Sequence, residues 1–166
     1  MKKNSTDLFG CLFKRCARRP PQKHTPSAAI SWKDTTPWKP PITGGTVIKV
    51  YDGDTITIAE KLPYAESPLF RWSVRLDGID TPEMKSKSHE LKCIAEEARD
   101  ELSNKVLGKH VELRQIKPEK YGRILATVYL DGENLSTWLL HEKYAYQYNG
   151  EKKMTEEEQL EILVHT

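Results

Sequence analysis

The sequence predicts an α+β fold that is mainly β: a barrel of five short strands with three helices, preceded by a disordered basic arm. Residues 1–41 are rich in proline, serine, threonine and basic residues, a composition that opposes regular structure. Beyond residue 42, five segments have the alternation or the β-forming residues of strands, and one long segment between them has helical spacing. We therefore divide the chain into an arm, 1–41, and a domain, 42–166.

The arm concentrates positive charge. Residues 1–39 contain nine Lys and Arg and two Asp, whereas the rest of the chain contains 17 basic and 22 acidic residues. A basic arm on an acidic body is typical of a tail that contacts polyanions, and a solvated leader without a partner is the alternative. Cys11 and Cys16 lie in this arm, and their acylation would give a weak membrane contact. An inert tail is the alternative for these two cysteines.

The chain has no clear targeting or membrane segment. No apolar run reaches the roughly 18 residues that a membrane helix needs, so no transmembrane segment is expected. Gly10, Cys11 and Lys14 interrupt the apolar residues near the N-terminus, which is unlike a signal peptide. The three cysteines have no paired spacing, which argues against a disulfide framework or a zinc site. We expect an intracellular monomer.

The first half of the domain predicts three strands. Val47, Ile48, Val50 and Tyr51 are β-formers. Asp52-Gly53 is a turn dipeptide, and residues 55–58 alternate as the second strand of a hairpin. Residues 70–76 alternate again and form the third strand. The strand pattern ends at the segment around Pro82. Proline also disfavours the helical conformation in the residue before it, Thr81.

The second half predicts a helix, two strands and two further helices. Apolar residues recur at helical spacing across 91–106, and residues 111–116 and 124–130 are strand-like. We expect Ser136 to cap a short helix, and Thr155 to open the last helix through a capping box. A helix between the third and fourth of five antiparallel strands is the order expected of an OB-type barrel.

Three short polar segments stand out. They are Asp-Gly-Asp-Thr at 52–55, the segment 75–83 that begins with arginine and ends in Asp-Thr-Pro-Glu, and Lys-Tyr-Gly-Arg at 120–123. Each segment alone is also typical of an ordinary turn or loop. Together they contain what phosphodiester cleavage needs, namely cationic groups for the phosphate oxygens and a group that orients or deprotonates water.

The residue types in these segments favour a hard divalent cation. Asp54, Asp80 and Glu83 could supply carboxylate oxygens, which such cations prefer. Arg75 and Arg123 could bind phosphate through their planar guanidinium groups. The three segments contain no His or Cys, so zinc chemistry and a thiol nucleophile are not expected.

The three segments, intact and in this order, resemble the signatures of the staphylococcal nuclease-like (thermonuclease) family, and the resemblance covers about residues 46–148. It implies a calcium-dependent nuclease that cuts DNA and/or RNA and leaves 3′-phosphates. It also implies one calcium ion, bound by the carboxylates of Asp54 and Asp80 and the backbone carbonyl of Thr81.

The resemblance further implies roles for the remaining residues of the site. Arg75 and Arg123 would bind the scissile phosphate and stabilise the transition state, and Glu83 would position or activate the attacking water. The predicted nucleic-acid contacts are Lys120, Tyr121, Tyr146 and Tyr148.

Several features of the sequence have more than one interpretation. Tyr121 with either Tyr146 or Tyr148 could stack a base, and core or surface positions are the alternative for these rings. Asp77 is interpreted as a turn residue, with the metal sphere as its alternative. A catalytically silent OB-type module that binds nucleic acid or protein is the alternative function. Family members of that kind usually lose catalytic Asp, Glu or Arg residues, and this chain has all of them, which favours the enzyme.

Overall fold

The computed structural model describes residues 30–119 and 122–164. The chain divides into two compact units, residues 1–36 and 37–166. In the described part of the first unit, Trp32–Asp34 forms a single 3₁₀ turn. The Asp34 carboxylate accepts hydrogen bonds from the backbone and the hydroxyl of Ser31, at 2.8 and 2.7 Å. This short turn lies within the segment predicted to be irregular. The predicted boundary between residues 41 and 42 stays a prediction.

The second unit contains all the longer strands and helices of the described residues. In chain order the elements are β1 (Gly44–Asp52), β2 (Thr55–Lys61), β3 (Leu69–Leu76), β4 (Ile79–Asp80), α1 (His89–Val106), β5 (His110–Pro118), β6 (Ile124–Leu130), β7 (Glu133–Asn134), α2 (Leu135–His141), β8 (Tyr146–Gln147) and α3 (Glu156–Leu163).

Five strands close into a barrel. β3, β2, β1, β5 and β6 are antiparallel neighbours in that order, and a parallel pairing of β3 with β6 joins the two ends. In the closing pair, Val74 lies opposite Ile124 and Leu76 lies opposite Ala126. Every second residue of β6, from Ile124 to Leu130, is buried, so the alternation seen in the sequence marks the barrel interior. The predicted five-stranded OB-type barrel with three helices is confirmed.

The helices follow the capping chemistry of their first residues. One face of α1 is buried along its length, from Leu91 to Val106, as its spacing predicts. Thr155 caps α3 in a capping box with Glu158, which confirms the predicted start. The prediction that Ser136 caps α2 is wrong. The Asn134 side chain accepts from the backbone amide of Ser136 at 2.9 Å and is the cap, because an Asx side chain reaches the amide two residues on.

A short strand pair, β4 with β8, was not predicted. Asp80 lies directly opposite Tyr146 in this antiparallel pair, and the backbone amide of Tyr148 donates to the carbonyl of Gly78 at 3.0 Å. Two-residue strands are too short to show a periodic pattern in sequence. The pair brings the segment before α3 against the loop that follows β3.

Candidate active site

The turn between β1 and β2 holds Asp54 in a buried position. A Cβ atom on Gly53 would lie 2.9 Å from Cβ of Ala98 in α1 and 3.0 Å from Cγ2 of Thr81. Only glycine allows this close approach, so the Asp-Gly-Asp turn packs tightly between α1 and the loop after β4. Asp54 is 2% exposed, and the hydroxyl of Thr55 donates to its Oδ1 at 2.8 Å.

Arg75, at the end of β3, joins two buried carboxylates. Its Nη1 lies 2.6 Å from Oδ2 of Asp54, and its Nη2 lies 2.8 Å from Oδ1 of Asp80. Nη2 also donates to the carbonyl of Ile79 at 3.3 Å. Three residues predicted for the site from separate sequence segments therefore meet around one guanidinium group.

The second oxygen of Asp80 has two further partners. Tyr146 in β8 donates its hydroxyl to Oδ2 of Asp80 at 2.6 Å, as their opposed positions in the β4–β8 pair allow. The Nζ atom of Lys153 lies 3.3 Å from the same oxygen. Asp80, which is 3% exposed, is thus surrounded by a guanidinium, a phenol and an ammonium group.

Burial and neighbouring charges act differently on the two aspartates. Burial raises the pKa of Asp54 and the charge of Asp52 adds to this rise, whereas the Arg75 guanidinium acts to lower it. Burial also acts to raise the pKa of Asp80, but hydrogen bonds from Tyr146 and Arg75 outweigh it, so this pKa is lowered. Burial, followed by donation to Asp80, raises the pKa of Tyr146. Tyr146 therefore acts as a neutral donor to an ionised Asp80.

Glu83 lies at the exposed rim of the site. Its side chain forms an ion pair with Nζ of Lys153, and its carbonyl accepts from the amide of Ser86 at 2.9 Å. The loop is fixed from α3, where Oε1 of Glu156 accepts from the hydroxyl of Ser86 at 2.6 Å and from the amide of Lys87 at 3.0 Å. The last helix therefore holds the loop that carries Glu83.

Arg123 reaches the same rim from the residues before β6. Gly122 has φ +76°, a conformation that glycine adopts without strain. The guanidinium of Arg123 forms a two-point contact with Glu119, from Nε to Oε2 at 2.6 Å and from Nη2 to Oε1 at 2.8 Å. This contact raises the pKa of Arg123. Because Val74 pairs with Ile124, the closing strand pair makes Arg75 and Arg123 near neighbours.

These residues line one cleft of about 820 Å³. It contains Asp54, Arg75, Asp80, Thr81, Glu83 and Arg123, the six residues predicted to bind metal or act in catalysis, together with Tyr51, Asp52, Pro82, Met84, Lys85, Glu119, Tyr148 and Lys153.

The tyrosines predicted to contact nucleic acid differ in position. Tyr148 lines the cleft, and its hydroxyl donates to the carbonyl of Glu151 at 2.8 Å. Tyr146 is 1% exposed, and a base needs an open ring face to stack on. The expectation that Tyr146 stacks a base does not fit this burial. Lys120 and Tyr121 lie outside the described residues, as do Cys11 and Cys16.

Other residues show what sequence reasoning missed. Three groups contact predicted site residues: the ammonium of Lys153, the carboxylate of Glu119 and the hydroxyl of Tyr146. No sequence motif identified them as partners of the acidic and arginine side chains. Asp77, interpreted as a turn residue, forms an ion pair with Lys117, whose Nζ lies 3.0 Å from Oδ2 of Asp77.

The donor chemistry of the cleft suits a hard cation. Asp54 and Asp80 direct carboxylate oxygens to the same guanidinium, so a positive charge is favoured between them. Within residues 30–119 and 122–164, no three His, Cys, Asp or Glu side chains are grouped to hold a metal ion. A set of two carboxylates with the Thr81 carbonyl does not require such a group.

Among the helices of the described part of the chain, none is long and apolar enough to cross a membrane.

The fold and the cleft define an OB-type barrel domain with buried, arginine-bridged carboxylates and a charged rim. The chain belongs to the family described as "Staphylococcal nuclease homologue", whose model matches residues 73–165. Curated relatives include "Probable endonuclease LCL3" of Coccidioides posadasii (strain C735), which is 39% identical over 57 residues, 34% of this chain and 18% of that protein.

Two relatives from Escherichia coli match over longer stretches. "Protein ParB" is 28% identical over 128 residues, 71% of this chain and 64% of that protein. An "Uncharacterized endonuclease" is 30% identical over 105 residues, 63% of this chain and 60% of that protein. The chain thus spans less than two thirds of the length of these relatives.

Proposed function

We propose that this chain is a calcium-dependent nuclease that hydrolyses phosphodiester bonds of DNA and/or RNA and leaves 3′-phosphates. The observation that carries the proposal is the Arg75 bridge between Asp54 and Asp80, in the cleft that also contains Glu83 and Arg123. Membership of the nuclease family and the endonuclease names of two relatives support it. The 3′-phosphate products follow from the family resemblance alone.

The arrangement of Arg75 supports a requirement for a cation. The guanidinium forms ion pairs with two buried carboxylates at 2.6 and 2.8 Å. These carboxylates compete with a phosphate for the same N–H donors. If the carboxylates of Asp54 and Asp80 and the carbonyl of Thr81 held calcium, that ion would neutralise charge on a phosphate oxygen. Arg75 would then be able to turn toward the substrate.

The rim residues have the chemistry that the reaction needs. Glu83 is exposed and could orient or deprotonate the attacking water. Arg123 carries a guanidinium whose charge is permanent in water, so we assign it an electrostatic role at the phosphate instead of proton donation. Tyr148 could stack a base, and Lys120 and Tyr121 stay proposed contacts to nucleic acid.

The test is digestion of plasmid DNA and of a labelled RNA oligonucleotide with calcium, with magnesium or with excess chelator. We expect cleavage with calcium and none with chelator. Product ends that become extendable by a polymerase only after phosphatase treatment would support 3′-phosphates. The matched control is the Glu83→Gln protein, which excludes a contaminating nuclease.

Two outcomes would contradict the proposal. Undiminished cleavage in chelator would contradict the proposed requirement for a metal ion. Calcium-dependent binding of an oligonucleotide without cleavage would favour the silent binding module instead.

A further inference from the structure

Lys153 lies outside the three site segments but contacts two carboxylates that belong to them. Its Nζ lies 3.3 Å from Oδ2 of Asp80 and forms an ion pair with Oε1 of Glu83. One ammonium group thus joins a buried carboxylate to a rim carboxylate. Its own side chain is 45% exposed, so it can leave this position at small cost in packing.

The two cations of the site divide its carboxylates between them. Arg75 neutralises Asp54 and one oxygen of Asp80, and Lys153 takes the other oxygen of Asp80 and then Glu83. Since Tyr146 also donates to Oδ2 of Asp80, both oxygens of this carboxylate are occupied by donors within the protein. A cation from solution therefore meets carboxylates whose negative charge is already partly offset by two cations of the protein.

We propose that Lys153 is an internal competitor of the divalent cation, bound to Asp80 and Glu83 until the ion displaces it. The inference rests on the proposed metal-dependent function and adds a residue that sets the affinity of the site. Displacing one ammonium from two carboxylates must oppose ion binding by about the strength of a partly exposed ion pair. That strength, up to roughly 1 kcal/mol, corresponds to about a fivefold change in Kd.

The test is calcium binding to the full-length chain by titration calorimetry, without nucleic acid. Lys153→Met keeps most of the aliphatic stem and removes the charge. We expect its Kd for calcium to fall by about fivefold. Lys153→Arg, which retains a cation, should stay near the wild-type value. Lys152→Met is the matched control, because Lys152 is an exposed neighbour outside the cleft lining, and its loss tests the general effect of one fewer charge.

A second measurement uses thermal unfolding. In chelator, Lys153→Met should melt below wild type because Asp80 and Glu83 lose a common partner. In saturating calcium the difference should shrink or reverse, since the ion takes the place of the ammonium.

The outcomes separate the inference from the proposed function. Calcium binding of equal strength in wild type and Lys153→Met, or an equal gain in Lys152→Met, would overturn the inference alone. Absence of calcium binding in every protein would overturn the proposed function together with the inference.

Discussion

The buried floor of the cleft and its exposed rim are built on different principles. We define the floor as Asp54, Arg75, Asp80 and Tyr146, which are carried by the barrel and by the β4–β8 pair. The rim consists of Glu83, Glu119, Arg123 and Lys153, which lie on connecting segments. Each floor charge is desolvated and depends on its partner, whereas rim charges contact water.

This contrast predicts which substitutions should lower both stability and activity, and which should lower activity alone. Removing a floor partner leaves an uncompensated charge inside the protein, so the fold and the site should fail together. Removing a rim group exposes its partner to water, so the fold should survive and the reaction should fail alone.

The largest expected effect is that of Arg75→Gln. It leaves Asp54 and Asp80 without their common cation, at a cost on the order of 3 kcal/mol or more in free energy of unfolding. Urea denaturation measures this cost. The control is Lys92→Gln, which removes an exposed ion pair with Glu96 at 3.9 Å and should cost less than about 1 kcal/mol. Equal losses in the two variants would contradict the assignment of Arg75 to a desolvated floor.

The next effect is on rate. Glu83→Gln and Arg123→Ala should each lower kcat by about 100-fold or more, by analogy with loss of one preorganised charge-stabilising donor. Their melting temperatures should change little, because half-buried or exposed groups at a rim contribute little to the fold. Glu97→Gln and Arg71→Ala, both at exposed positions, are the controls and should retain activity. The loss of transition-state free energy in the double variant should be smaller than the sum of the losses in the two single variants. Full activity in both single variants would exclude these residues from catalysis.

The smallest effect compares the two tyrosines. Tyr146→Phe removes a buried hydrogen bond to an ionised carboxylate, and we expect a loss of roughly 2 kcal/mol in free energy of unfolding. Tyr148→Phe removes an exposed hydrogen bond and should cost about 0.5 kcal/mol or less. Denaturation curves of both variants test the assignment of Tyr146 to the floor. A larger loss for Tyr148→Phe would reverse it.

The barrel, and the segments that carry Asp54, Arg75 and Asp80, were the easier parts to predict. The five barrel strands are seven to nine residues long, and α1 repeats its apolar positions over five turns, so their residue patterns are long enough to identify them. Asp54, Arg75 and Asp80 stand in short segments whose chemistry is readable without a structure. The structure places all three in one cleft, and their roles there stay predictions.

The missed features depend on contacts between distant residues. Tyr146 contacts Asp80 across a pair of two-residue strands. Lys153, in the segment that follows β8, contacts Glu83 in the segment that follows β4. Neither segment has a periodic pattern, so the sequence did not distinguish a buried ring from an exposed one. The cap of α2 was misassigned for a local reason, since Asn134 and Ser136 are both good caps.

The closing strand pair has a consequence for the time course of folding. Val74 and Ile124 become neighbours only when distant parts of the chain meet, and such contacts form late because loop entropy must be lost before they stabilise the fold. Arg75 and Arg123 flank this pair. Helical signal in a refolding experiment should therefore return before cleavage does, and activity should recover no earlier than the barrel closes.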